Sequence, residues 1–168
     1  SEGRFDGQII PFDIHGDGSQ MHIQDEGLRD TTYEALANLK PIAGVGYFSE
    51  PANYHTAGTA SQLADASSAL LVMSREKADE LELTPLARIV SSCLVGSDPA
   101  LMLTGPIPAT DKLLDDTGYS TDDIDIFEIN EAFAAVVLAW AKEMEIEIDD
   151  RVNPNGCLLY TSPSPRDF

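Results

Sequence analysis

The chain has 168 residues, 43% hydrophobic and 23% charged, and carries a net charge of −19 from 29 acidic and 10 basic residues. The composition is globular rather than disordered, and the length suits one domain or pieces of two. The charge weighs against nucleic acid and anionic membrane as partners, so a polyanionic ligand needs a local cationic residue. Such acidity also suits a salt-adapted source, but ordinary acidity is the plainer reading.

No apolar signal segment opens the chain, and there are two cysteines, Cys93 and Cys157. A reduced, cytoplasmic setting is therefore expected. The longest apolar run, around Ala132–Ala141, is too short to span a bilayer, so no membrane insertion is expected.

"RFDGQIIPFDI" reads as a strand and "HGDGSQ" as a turn. Asp13, His15 and Asp17 invite a metal-loop reading, but no distal carboxylate completes the calcium-loop spacing. A polar hairpin turn is the better fit, and no metal site is expected. Thr31 and Glu34 in "TTYEALANLKP" have capping-box spacing, with Pro41 stopping the helix. "GYFSEPANYHTAGTASQLADA" is a small-residue loop of the sort that lets backbone approach a ligand. "SSALLVMS" reads as a buried strand, and Ser74 as the cap of a helix through "REKADEL".

A break near Glu82–Thr84 divides the chain. "TPLARIVSSCLVG" is a second β-branched strand, and "GPIPATDKLLDDTG" a helix with Pro near its start and Gly118 past its end. "DIDIFEI" is a strand. Asn130 follows it at a strand-to-helix junction, and "EAFAAVVLAWAKEM" is a helix apolar around most of its circumference, which predicts burial. Strands alternating with helices give an α/β fold.

Independent catalytic signatures are absent: the sequence has no G-x-S-x-G, Walker loop, H-E-x-x-H or C-x-x-C. Cys93 in a strand reads as a structural thiol rather than a nucleophile. Asn130 reads either as a helix cap or as a ligand-facing residue, since α/β proteins place ligands where strand tips meet helix N-termini.

"EINEAFA" followed by "VNPNG" resembles the C-terminal half of thiolases, the acetyl-CoA acyltransferases. The resemblance extends through "LARIVSSCLVGSDPALMLTGPIPAT", "HTAGTASQLADASSALLVMS" and "DEGLRDTTYEALANLKP". "LMLTGPIPAT" and "VVLAW" are most similar to degradative 3-oxoacyl-CoA thiolases. The resemblance implies a thiolase-like α/β fold. Residues 1–83 would end the N-terminal domain, including the CoA loop, and 84–156 would begin the C-terminal domain. It implies Claisen condensation or thiolytic cleavage of 3-oxoacyl-CoA by a ping-pong route, with coenzyme A as substrate and no permanently bound cofactor. It also implies CoA thioesters as partners and a homodimer or homotetramer.

By the same resemblance Asn130 matches the family Asn that positions a water in an oxyanion hole for the acetyl-CoA thioester. Ala132 and Phe133 would shape the wall. Ser61 matches a loop serine near the pantetheine, Ala57 and Gly58 give the flat backbone beside it, and Arg29 matches a basic residue near the nucleotide end. Thr59 stands where the family often has Asn, and Ala66 where it often has Gly. The family's nucleophilic Cys would precede residue 1, and its Gly-His-Pro histidine and second catalytic Cys would follow Gly156. Neither Cys93 nor Cys157 matches a catalytic position.

After Gly156 the family text is replaced by "CLLYTSPSPRD", which resembles a translated sequencing-library transposon adapter. Residues 157–168 are therefore expected to be a non-native tail that packs against nothing. Two other readings stand beside an enzyme fragment inactive alone: a thiolase-like CoA- or lipid-binding protein without catalysis, and a fragment with no stable function.

Overall fold

The computed structural model describes residues 6–24, 31–42, 54–61, 65 and 67–154. Arg29, Ala66 and the tail 157–168 lie outside the described residues. Two compact units divide the chain. The first holds the described residues of Ser1–Asp65 and Glu131–Phe133; the second holds those of Ala66–Asn130 and Ala134–Pro154.

In the first unit, β1 (Phe12–Asp13) and β2 (Met21–His22) form an antiparallel hairpin. The turn is organised by one carboxylate. Asp13 Oδ1 accepts from the His15 and Gly16 amides at 3.2 and 3.0 Å, and Oδ2 accepts from Gly18 N at 2.7 Å. Gly16 and Gly18 supply the left-handed backbone that this wrap requires, at φ 71° and 75°. The polar-turn reading holds, and no cluster of three or more metal-ligating side chains occurs among the described residues. Helix α1 (Tyr33–Ala37) starts one residue later than its capping-box spacing suggested. Thr32 is the N-cap, its Oγ1 accepting from Ala35 N at 3.2 Å, and the helix ends at Asn38, before Pro41.

The second unit contains α2 (Arg75–Glu80), α3 (Pro106–Thr117), a single 3-10 turn (Thr121–Asp123) and α4 (Ala134–Glu143). Ser74 caps α2 as expected, accepting from Lys77 N. Pro106 opens α3, and Gly118 closes it at φ 73° with its N–H donated to Leu114 O. Helix α4 is followed by a left-handed Glu145 (φ 54°), after which Ile146 N returns to Ala141 O at 2.9 Å. That six-to-one closure satisfies an orphan carbonyl and turns Ile146 back onto the core.

Among the described residues one cluster forms the core of the second unit: Phe127, Val137, Trp140, Ala141 and Val152 are buried, with Ile107, Ile124, Ile129, Met144 and Ile146 packed against them. Trp140 is fully buried and meets Phe127 at a ring-centroid distance of 5.1 Å. Its indole N–H donates to Thr110 Oγ1 at 2.9 Å, and that hydroxyl donates to Pro106 O at 2.8 Å. A polar relay thus ties α4 to the first turn of α3 without an orphaned donor.

Three strand expectations change. "SSALLVMS" and "TPLARIVSSCLVG" carry no ladder among the described residues, and apart from Met73 and Cys93 their residues are exposed, Leu70 by 90% and Leu94 by 97%. A strand pattern specifies an extended apolar segment, but a ladder needs a partner edge, and no described residue supplies one. "DIDIFEI" reduces to one parallel bridge, Phe127 to Val152. Nor is α4 buried all round. Val137, Trp140 and Ala141 face the core, while Leu138, on the flank of that stripe, is exposed. Among the described residues, no helix is long and apolar enough to cross a membrane.

Two outcomes follow from these contacts. Thr110→Val leaves the buried indole N–H without its acceptor and should cost about 1–3 kcal/mol, whereas Thr110→Ser should recover most of it. Denaturant unfolding followed by the fluorescence of Trp140, the only tryptophan, reads this directly; an unchanged midpoint in the Val variant would refute the relay. The second concerns pH. Asp13 is held below its ordinary value of 3.8, chiefly by the Gly18 amide, and further by those of His15 and Gly16. A lowered folded-state value places its contribution above the unfolded value and removes it as pH falls through the folded one. The Gly18 amide resonance should therefore titrate below pH 3.8; a midpoint at or above that value would contradict the carboxylate wrap.

Candidate functional site

The candidate loop begins where Ile42 N donates to His55 O at 2.8 Å and Pro41 bridges Thr56. The next four residues, "TAGT", form a turn stapled by two threonines. Thr56 N donates to Thr59 Oγ1 at 3.0 Å, Thr59 Oγ1 donates back to Thr56 O at 3.3 Å, and Gly58 N donates to Thr56 Oγ1 at 3.1 Å. Hydroxyls that capture neighbouring amides in this way favour turns over regular structure. Ala57 is exposed at the tip and Gly58 half-buried beside it. Thr59, noted in the sequence only as a departure from the family pattern, is the staple itself.

Beyond the turn the chain is anchored to "EAF". Ser61 N and Ser61 Oγ both donate to Ala132 O, at 3.2 and 3.1 Å. Ala60 bridges Phe133, and the Phe133 ring meets the His55 imidazole at 4.8 Å between centroids. The structure thus brings together five of the predicted residues: Ala57, Gly58, Ser61, Ala132 and Phe133. The Ser61 hydroxyl proton is committed to Ala132 O, while a hydroxyl oxygen also has acceptor capacity. Arg29 lies outside the described residues.

These anchors explain a correction at Asn130. The sequence places a helix immediately after it, with Asn130 as the cap. Helix α4 instead begins at Ala134, so Asn130 lies four residues ahead of it and is not its N-cap. The intervening Ala132 carbonyl and Phe133 backbone are used in pairing with Ser61 and Ala60, which holds them out of helical geometry.

Asn130 belongs to the second unit and its side chain is exposed. The backbone before it is fixed by "RVNP". Phe127 N donates to Arg151 O at 2.7 Å, and Asn153 N donates to Phe127 O at 2.8 Å. Asn153 then leaves the pairing in a left-handed conformation, φ 48°, and its side-chain amide takes over. Ile129 N donates to Asn153 Oδ1 at 2.8 Å, and Asn153 Nδ2 donates to Ile129 O at 3.1 Å. Sequence reasoning used "VNPNG" only as a family mark and missed this clamp; the Asn-Pro pair was the available signal for a turn. The approach to it is set by Asp149, whose Oδ1 accepts from Arg151 N at 2.8 Å and whose carboxyl is held low chiefly by that amide.

Cys93 is half-buried with Sγ 3.6 Å from Ala109 O. That contact suits a structural thiol and offers no base to activate it.

Comparison with known proteins gives the family. A family model described as the thiolase N-terminal domain matches residues 1–76, and one described as the thiolase C-terminal domain matches residues 83–159. The chain is 45% identical over 161 residues to a 3-ketoacyl-CoA thiolase of Vibrio vulnificus (strain YJ016), covering 92% of this chain and 40% of that protein. A 3-ketoacyl-CoA thiolase of Marinomonas sp. (strain MWYL1) is 43% identical over 160 residues, with the same coverage. Among solved structures, the Bacillus anthracis acetyl-CoA acetyltransferase superposes with a TM-score of 0.84 at 43% identity, covering 96% of this chain and 40% of that one. The dimeric peroxisomal thiolase of Saccharomyces cerevisiae superposes at 0.78 with 35% identity, covering 97% and 40%. The chain therefore spans 40% of the length of the relatives it matches. The fold is thiolase-like α/β, both family halves are matched in order, and the chain belongs to the thiolase family.

Proposed function

We propose that these residues serve acyl transfer between CoA thioesters: Claisen condensation or thiolytic cleavage of a 3-oxoacyl-CoA, with coenzyme A as substrate and no resident cofactor. The observation that carries the reading is an exposed, neutral amide, Asn130, placed directly after a residue whose backbone N–H and C=O are both clamped. Charge develops on a thioester oxygen only as the enolate forms. A donor fixed beforehand stabilises that charge without reorganising, and a neutral one does so without binding the ground state as strongly.

In this reading Asn130 orients the water that faces the thioester oxygen. The turn at Ala57 and Gly58 offers flat backbone to the pantetheine, and the Ser61 oxygen accepts from it. Ala132 and Phe133 form the wall, and Arg29 answers the nucleotide phosphates against a surface of net charge −19. The 3-ketoacyl names of the bacterial relatives favour the degradative direction. Self-association is proposed with it, on the likeness to the yeast protein described as dimeric, and so is a cytoplasmic setting. No residue of this chain is assigned as the acyl-accepting thiolate, so the 168-residue chain alone should not cleave acetoacetyl-CoA.

The test is a chimera in which residues 1–156 replace the aligned segment of the Bacillus anthracis enzyme. It should cleave acetoacetyl-CoA. Asn130→Asp in that chimera should fold normally, because the exposed side chain is not a helix cap, and should lose roughly 10²–10³ in kcat with little change in KM for CoA. A folded Asp variant with near-normal kcat would remove Asn130 from the chemistry. A folded chimera that binds CoA without turnover would favour the non-catalytic binding reading instead.

A further inference from the structure

We propose that Asn153 is a positioning residue for Asn130, acting through the backbone of Ile129; the proposal rests on the reading of Asn130 given above. The two hydrogen bonds, Ile129 N to Oδ1 at 2.8 Å and Nδ2 to Ile129 O at 3.1 Å, reproduce a ladder pairing with one side chain. The orientation of the amide is set by the partners, since the reversed amide would face donor to donor and acceptor to acceptor. Ile129 O belongs to the same rigid peptide plane as Asn130 N. Holding that oxygen therefore fixes the plane from which Asn130 departs.

The residue type is dictated twice over. The main chain must turn away at φ 48°, a conformation that Asn tolerates better than other side-chain-bearing residues. The side chain must present one donor and one acceptor in a plane, which a primary amide does and a carboxylate does not. Pro154 follows, with no N–H to continue the ladder. The clamp is itself held in place by its neighbour Val152, buried in the core and bridged to Phe127. Core packing is thus connected to Asn130 by a short covalent and hydrogen-bonded route, Val152 to Asn153 to Ile129 to Asn130.

The test uses the whole 168-residue chain and two variants. Asn153→Gly keeps the left-handed backbone and deletes both bonds; Asn153→Asp keeps the acceptor for Ile129 N–H and loses the donor. Backbone relaxation by NMR should show the Asn130 amide order parameter falling from about 0.85 to below about 0.6 in the Gly variant, with an intermediate value in the Asp variant. Exchange of the Ile129 amide should speed roughly tenfold in the Gly variant, the equivalent of one hydrogen bond. Trp140 fluorescence should stay native. A Gly variant with native fluorescence and an unchanged order parameter at Asn130 would overturn the proposal. If the Gly variant unfolds, the Asp variant decides by the same parameter: a rigid Asn130 amide there would overturn it. The readout is the motion of Asn130, not turnover, so the clamp stands or falls separately from the chemistry assigned to Asn130.

Discussion

The pairing of 127–129 with 151–153 is the constraint on which the second unit depends. Phe127 reaches Val152 through a single parallel bridge, and those two side chains form the floor on which α4 lays Trp140. A parallel contact between segments twenty-five residues apart requires a crossover, and α4 is that crossover. The pairing is only one bridge long, so it would be weak by itself. It is extended by the Asn153 amide at one end and by the Asp149 turn before Arg151 at the other. Side-chain amides and carboxylates here do the work that further strand residues would do in a longer ladder.

The first unit solves its local problems in the same way. The hairpin turn is wrapped around Asp13, the "TAGT" turn is stapled by Thr56 and Thr59, and Ser61 takes the Ala132 carbonyl. Each device spends a short polar side chain on backbone groups that no regular ladder satisfies. The acidic composition has a structural share in this: Asp13, Asp17, Asp98, Asp123 and Asp149 all accept backbone amides, and each is held below its ordinary value by hydrogen bonds, chiefly from those amides except at Asp17, where the Ser19 side chain leads.

Much of this was legible in residue order. Ser74, the Gly-Pro start and Gly118 end of α3, and the polar turn at 15–19 follow from capping and turn chemistry that acts within a few residues. The family was legible in "EINEAFA" and "VNPNG". What escaped was non-local. Asn130 looked like a helix cap because strand and helix patterns abut there; the structure inserts Glu131–Phe133 between them, and Ala132 and Phe133 are used by residues some seventy positions earlier. The apolar patterns at 67–74 and 84–96 suggested strands that the described residues do not form, because a ladder is a property of two segments and cannot be read from one. Asn153 was hidden for the same reason: its importance lies in Ile129, twenty-four residues away.

The most direct measurement is a crystal structure of the chimera with acetyl-CoA bound. The pantetheine should run past Ala57, Gly58 and Ser61, and the thioester oxygen should lie about 2.7–3.1 Å from a water held by Asn130. A thioester bound elsewhere, or one whose oxygen is reached by no water or donor from Asn130, would contradict this arrangement.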